Sequence, residues 1–251
     1  MHEATNEKLL VMVATYNEID NLPRLVEDIL RVLPNATVLV IDDNSPDGTG
    51  RWCDEKMATD PRLVCIHREG KLGLGTATLA GLRYGVEQGY KYVINMDADF
   101  SHSPEVLPRL VSGMDTPGQS PVDVMIGSRY VAGGKIEGWT ITRHLMSRGV
   151  NYGSRMALGL PVHDCSGSFR CYRTKLLRKI GFDAFCSHGY SIEEEILWRL
   201  KRAGASFSEI PITFLNRRSG ASKISLRHCF AALATIARLG WENYTTRPPR
   251  H

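Results

Sequence analysis

Apolar residues in this chain come in short unbroken runs that end on polar or acidic residues. Residues 8–15 (KLLVMVAT), 37–41 (TVLVI), 63–67, 92–96 (YVINM) and 122–127 are such runs, and each reads as a strand buried on both faces. Between the first two, apolar residues at 22, 25, 26, 29, 30 and 33 fall in helical spacing, with Asp20 placed to cap the helix. A second helix is predicted over 76–88, and Ser103-Pro104 opens a third, with proline in its first turn. The alternation predicts an α/β fold with a mostly parallel central sheet covered by helices on both faces. Beyond Arg129 the pattern loosens. A glycine-rich stretch (131–138) precedes a helix over 142–158 that carries Arg143, Arg148 and Arg155, for which a solvated face is the plain reading. A strand follows at 166–173. The helix at 192–203 opens on Glu193-Glu194-Glu195, a pattern expected of a solvated helix start favoured by the helix dipole. A strand at 206–212, a basic Gly/Ser loop at 215–223 and a helix over 226–241 complete the chain. With no break in composition, residues 1–244 read as one domain that includes an amphipathic helix near 225–242, and 245–251 as a disordered tail.

Composition narrows the function. The 251 residues are enough to bury a full core, and 43% hydrophobic and 23% charged residues are ordinary globular values. A net charge of +4 is too small to argue for nucleic acid. Six cysteines without Cys-x-x-Cys spacing read as buried thiols in a reducing compartment. No apolar leader segment and no 18-residue uncharged apolar window are present, so neither a signal peptide nor a transmembrane helix is expected.

The candidate chemistry sits where the runs end. The 92–96 run leads into Asp97-Ala98-Asp99, and in open α/β sheets ligands bind at the carboxyl ends of strands. Paired carboxylates there suit a divalent cation carrying a phosphate ligand, against the plainer reading of a solvated loop. The 37–41 run likewise ends on Asp42 and Asp43. The glycine-spaced basic loop 68–75 (REGKLGLG) lacks the Walker pattern, so a flexible connection outranks a phosphate cradle. A G-x-G-x-x-G after the first strand is also missing, which argues against a dinucleotide oxidoreductase.

Five motifs occur in order: Ala14-Thr15-Tyr16-Asn17-Glu18, Asp42-Asp43-Asn44-Ser45-Pro46-Asp47-Gly48-Thr49, Asp97-Ala98-Asp99, Gly127-Ser128-Arg129-Tyr130, and Arg217-x-x-Gly220-x-Ser222-Lys223. Together they resemble the family 2 inverting glycosyltransferases, most closely the polyprenyl (dolichyl)-phosphate mannosyltransferases in their form without transmembrane segments. The resemblance implies the GT-A fold and metal-dependent transfer of mannose from GDP-mannose to a polyprenyl phosphate, with Mg²⁺ or Mn²⁺. Position by position, it implies Ala14, Tyr16 and Glu18 at the nucleoside, Ile41 and Asp43 at the base and ribose, and Asp97 and Ala98 on the nucleotide. Asp99 would ligate the metal with Ser101 alongside. Arg129, Arg217 and Lys223 would meet donor or acceptor phosphates, and Arg143 with Ser147 would form the acceptor-phosphate site. Asp97, Asp99, Arg129 and Arg217 make up the implied catalytic set. The chain departs from the family pattern at Ala14, usually proline, at Ser101, where some members have glutamine, and at Glu193, where many have glutamine paired with Glu195.

The residues support such an acceptor on chemical grounds. A phosphate monoester has a second pKa near about 6 and is largely a dianion at neutral pH, so it needs cations to position it and no general base. Arginines suit that task through bidentate hydrogen bonding. A lipid acceptor implies a peripheral place at the cytoplasmic face of a membrane. Leu226, Phe230, Leu233, Ala237 and Trp241 share one helical face, which would pack on the core, lie on that membrane, or dock on a small membrane-embedded partner subunit. His102 and His188 read as supporting or surface groups. The alternatives are a polyprenyl-phosphate glucosyltransferase using UDP-glucose and, in another class, a non-catalytic nucleotide-sugar-binding membrane adaptor.

Overall fold

A computed structural model describes residues 8–187, 189, 191–216 and 226–245, with the side chains of 226–233 left outside that description. The strands are β1 (Leu9–Thr15), β2 (Thr37–Asp42), β3 (Leu63–His67), β4 (Tyr92–Asp97), β5 (Val124–Ser128), β6 (Lys135–Glu137), β7 (Arg170–Arg173), β8 (Phe207–Pro211) and β9 (Thr213–Leu215). The helices are α1 (Leu22–Val32), α2 (Thr49–Met57), α3 (Leu74–Glu87), α4 (Leu107–Ser112), α5 (Ile141–Leu158), α6 (Thr174–Leu177), α7 (Ile192–Arg202) and α8 (Leu226–Thr245). Seven strands form one sheet in the order β3-β2-β1-β4-β7-β5-β8, and β6 pairs with β9 in a separate ribbon. Within the sheet only β7 runs antiparallel to its neighbours β4 and β5.

The unbroken apolar runs have a simple cause. Alternate side chains of a strand point to opposite faces. Leu9, Val11 and Val13 of β1, Val38 and Val40 of β2, and Tyr92, Ile94 and Met96 of β4 join one buried cluster, with Leu25 and Ile29 of α1 and Leu107 of α4. Their alternates Leu10, Met12, Leu39, Ile41 and Val93 join the other, with Leu82 of α3 and Ile196 of α7. Both faces are therefore roofed by helices, as expected.

Two local expectations are corrected. Asp20 does not cap α1: the N-cap is Asn21, without a side-chain cap bond, and Glu18 O accepts the N–H groups of Asn21 and Leu22 instead. Glu193, Glu194 and Glu195 are not solvated; each is at most 2% exposed. In α8, Ile236 and Leu239 face the core while Ala237 and Trp241, the described members of the proposed stripe, face outward. Leu226, Phe230 and Leu233 of that stripe lie among the undescribed side chains, and residues 246–251 of the tail lie outside the described residues.

The helix α5 has an inverted distribution of polarity. Its buried residues are Asn151, Ser154 and Leu158. Its large apolar side chains Ile141, Leu145, Met146, Tyr152 and Met156 are exposed, as are Trp241 and Tyr244 on the neighbouring α8. No described helix is long and apolar enough to cross a membrane.

Candidate functional site

Strand register decides which residues meet. In the parallel pairing, Ala14 lies opposite Ile41 on one side and Asp97 on the other, so the ends of β2, β1 and β4 form a single edge. The loops leaving that edge are tied to one another. Thr15 Oγ1 donates to Asp42 Oδ1 (2.9 Å), and the N–H groups of Asn17, Glu18 and Ile19 donate to Ser45 Oγ (2.9 Å), Thr49 Oγ1 (3.1 Å) and Asp47 Oδ2 (3.1 Å). The polar run Asp42–Thr49 is thus in large part a scaffold for the first motif. Asn17 adopts φ 61°, a left-handed conformation asparagine tolerates, and Tyr16 beside it lies under the ammonium of Lys71 at 4.1 Å.

Asp43 is sealed by partners the sequence reading missed. Its carboxylate pairs with Arg68 Nη1 (2.8 Å) and accepts the Gly73 N–H (3.0 Å). The loop 68–75, expected to be a flexible connection, is anchored on Asp43.

At the end of β4, Asp97 Oδ1 accepts a hydrogen bond from Ser168 Oγ (2.8 Å), and its Oδ2 lies 3.8 Å from His102 Nδ1. Asp99 Oδ1 accepts the Ser101 N–H (3.0 Å) across Phe100, whose φ of 57° is uncommon for an aromatic residue. The Leu215 N–H donates to Ser101 O (3.1 Å) and pins the turn. Ser101 itself is buried. His102 stacks on Phe169 (4.7 Å) with Phe214 edge-on (5.4 Å), and burial pushes its imidazole below the usual range, so it serves as a neutral wall. Among the described residues no group of three or more His, Cys, Asp or Glu gathers around a metal position. Two half-exposed carboxylates at a strand end nonetheless suit a hard cation that arrives with phosphate oxygens of its own. Asp99, with Ser101 beside it, would hold that cation.

Arg129, expected as a phosphate ligand at a strand end, is 9% exposed and already gripped. Its Nε and Nη2 donate to the two oxygens of Asp164 at 2.7 Å each, and its backbone N–H adds a third bond (3.0 Å). Burial would raise the Asp164 carboxyl, yet the paired guanidinium overrides this and holds it below the usual carboxylate range. Gly167 makes room for the pair: a Cβ there would stand 3.0 Å from Asp164 Oδ1 and 3.4 Å from Arg129 Nη2. The rings of Tyr130, Trp139 and Phe214 enclose the guanidinium at 5.3–5.6 Å.

Arg143 lies over the same Trp139 ring at 4.1 Å and donates to Asn216 Oδ1 (3.3 Å). Ser147, one turn along α5, shares a hydrogen bond with Tyr130 Oη (2.7 Å). The structure therefore brings Arg129, Arg143 and Ser147 together around Tyr130 and Trp139. Arg148, on the same helix, is exposed. Arg217, Lys223 and His188 lie outside the described residues.

Sequence reasoning gave the segment 164–168 no role in the site and read 166–173 as a strand, whereas the strand begins at Arg170 and 164–168 is a loop. Asp164 holds Arg129, Ser166 Oγ accepts from Arg129 Nη2 (3.0 Å) and Ser168 holds Asp97. Its signal was a run of small polar residues around Gly167, just before a strand. Behind it, Arg170 is fully buried, donating to Cys165 O (2.7 Å) and Glu193 O (2.8 Å) and pairing with the Glu193 carboxylate (2.9 Å). Burial, working against Arg170, pushes Glu193 up to about 7, and it pushes Glu194 up to about 8. Glu195 accepts the N–H groups of Cys186 and Ser187 and pairs with Arg199.

The glycosyl transferase family 2 model matches residues 10–181. An undecaprenyl-phosphate mannosyltransferase of Micrococcus luteus is 41% identical over 244 residues, covering 96% of this chain and 98% of the relative. A polyprenol monophosphomannose synthase of Mycolicibacterium smegmatis is 41% identical over 235 residues, covering 93% and 87%. Among solved structures, the glucosyl-3-phosphoglycerate synthase of Mycobacterium tuberculosis, in complex with Mn²⁺, UDP and glucosyl-3-phosphoglycerate, superposes with a TM-score of 0.64 at 17% identity, covering 97% of this chain and 81% of that one. S. aureus TarS 1–349 with UDP-GlcNAc gives 0.59 at 17% identity, covering 92% and 66%. At that identity the likeness is one of fold.

Proposed function

Because the chain belongs to glycosyl transferase family 2, we propose that it moves mannose from GDP-mannose to a polyprenyl phosphate with inversion, yielding polyprenyl-phosphate mannose. The observation that carries this reading is the clustering of Arg129, Arg143 and Ser147 around Tyr130 and Trp139, linked through Asp164–Ser168 to Asp97 at the strand edge. It is a cationic, aromatic-walled station for a phosphate beside a carboxylate edge suited to a sugar nucleotide.

The donor would lie over the β2-β1-β4 edge, its nucleoside against Ala14, Tyr16, Glu18, Ile41 and Asp43 and its diphosphate against Asp97, Ala98 and Asp99. A Mg²⁺ or Mn²⁺ ion on Asp99, when bound, neutralises the diphosphate as it leaves. Arg217 and Lys223 would add cations from the segment that follows Asn216. Arg129, Arg143 and Ser147 would orient the acceptor phosphate, whose own oxygen attacks the sugar without a general base. The outward apolar faces of α5 and α8 would seat the protein peripherally on the cytoplasmic face of a membrane, or against a small membrane-embedded partner, with the lipid chain beside them.

The test is a donor panel of GDP-mannose, UDP-glucose and UDP-GlcNAc with a short polyprenyl phosphate and Mg²⁺ or Mn²⁺. Transfer from GDP-mannose, abolished by chelator, is expected. Preference for UDP-glucose would establish the glucosyltransferase instead. Donor binding without transfer from any donor would identify a binding subunit.

A further inference from the structure

Between the acceptor helix and the donor edge stands one side chain whose hydrogen-bonding groups are all used. Asn151 is 3% exposed, at the centre of α5. Its Nδ2 donates to Ser147 O (2.8 Å), one turn back, and to Ser166 Oγ (3.0 Å). Its Oδ1 accepts the N–H groups of Cys165 (2.6 Å) and Ser166 (3.2 Å). Two backbone donors facing one oxygen fix which way the amide points. Ser166 Oγ also accepts from Arg129, and Ser168, two residues on, donates to Asp97.

Among the described side chains, few others tie the first half of α5 to the body. The buried residues of the helix are Asn151, Ser154 and, at its end, Leu158, while Ile141, Leu145, Met146, Tyr152 and Met156 face outward. Before Asn151, the contacts it makes with the rest of the chain include the Tyr130–Ser147 bond, the Arg143–Asn216 bond, Arg143 over the Trp139 ring and the tilted ring contact of His144 with Trp139. Farther along, α5 packs on α8, where Gly240 meets Ala157 and Tyr244 Oη donates to Met156 O (3.0 Å); around Ser147 the described anchors are polar, and they set its height and rotation over the site.

We propose that Asn151 is a positioning residue that registers α5, and with it Ser147, on the segment 164–168, so that the acceptor phosphate meets Arg129 and the donor held at Asp97 in one geometry. The inference rests on the acceptor-phosphate reading given above. Asn151 touches neither substrate; it acts through Ser147, through Ser166 on Arg129, and through the backbone of the segment that carries Ser168.

The experiment measures transfer from GDP-mannose to a short polyprenyl phosphate, with KM and kcat resolved for each substrate. Asn151→Asp keeps an acceptor for the two backbone N–H groups and loses both donated bonds. Asn151→Ala loses all four. With Ser147 and Arg129 out of register, the acceptor phosphate loses one or two of its own hydrogen bonds, which is expected to raise the acceptor KM about 5- to 50-fold, with kcat lowered and GDP-mannose affinity by calorimetry unchanged. A merely structural role would lower kcat in step with the active fraction and leave the acceptor KM where it was; that result in both variants overturns the proposal. Should neither variant fold, Ser166→Ala, which cuts the link from Asn151 to Arg129 but keeps the bonds to Ser147 O and the loop N–H groups, is read the same way. Unaltered protein is assayed first: failure to transfer from any donor removes the acceptor reading itself and this inference with it.

Discussion

Asp164 holds the guanidinium of Arg129 through two bonds of 2.7 Å, with Asp164 fully buried and Arg129 nearly so. A buried charge pair broken on one side leaves the other charge uncompensated, at a cost of about 3–5 kcal/mol. Asp164→Asn should therefore lower the denaturation midpoint strongly as well as transfer. Gly167→Ala, which crowds the same pair by one methyl, should show a smaller loss of the same kind. Denaturant unfolding measures both, and an Asp164→Asn protein as stable as the parent would contradict the pairing.

Arg143 sits on Trp139 beside the proposed acceptor station, where a charge-assisted hydrogen bond to phosphate would be worth about 1.5–3 kcal/mol. Arg143→Ala should weaken use of polyprenyl phosphate about 10- to 150-fold and leave GDP-mannose binding intact. Equal losses on both substrates, by calorimetry and kinetics, would place Arg143 elsewhere in the reaction.

If Asp99 holds the proposed metal, Asp99→Ala should abolish transfer and sharply weaken donor binding, and chelator should reproduce the effect in the parent. Calorimetry with GDP-mannose, with and without Mn²⁺, is the measurement. Metal-dependent binding that survives in Asp99→Ala would assign the ion to other ligands.

Glu194 gives a dependence of stability on pH. Burial holds its carboxyl protonated up to about 8, against an ordinary value of 4.5. Between those values the folded chain holds a proton that the unfolded chain has lost. The contribution is complete below 4.5 and falls away as pH rises to about 8. Glu194→Gln removes this slope, so the variant should overtake the parent in thermal stability toward pH 8. Parallel curves from pH 5 to 8 would show that Glu194 titrates normally.

The sheet was legible in the sequence because every apolar residue of β1, β2 and β4 packs into one core or the other, and a nearly unbroken apolar run leaves few other structures. The edge chemistry was legible for the same reason: strands in parallel register must deliver Ala14, Ile41 and Asp97 side by side. Glu193–Glu195 were not, because their burial is set by distant partners. Asn95, Arg170 and the N–H groups of Cys186 and Ser187 reach them from three other segments, and no local pattern announces that. Asn151 was hidden differently. One small polar residue on a helix reads as solvent-facing unless the opposite face is seen to be apolar and exposed.

The insertion of β7 between β4 and β5 bears on how the chain leaves the ribosome. Both sheet neighbours of β5, β7 and β8, lie later in the sequence. While residues up to Ser128 emerge, β1 to β4 can assemble in parallel, but β5 has no partner and both its edges stay open until Arg170–Arg173 arrives. A nascent or truncated chain that stops short of β7 therefore presents a bare strand of apolar residues, Val124, Met125 and Ile126, to its neighbours. It is that species, rather than the finished protein, that chaperones would have to shield.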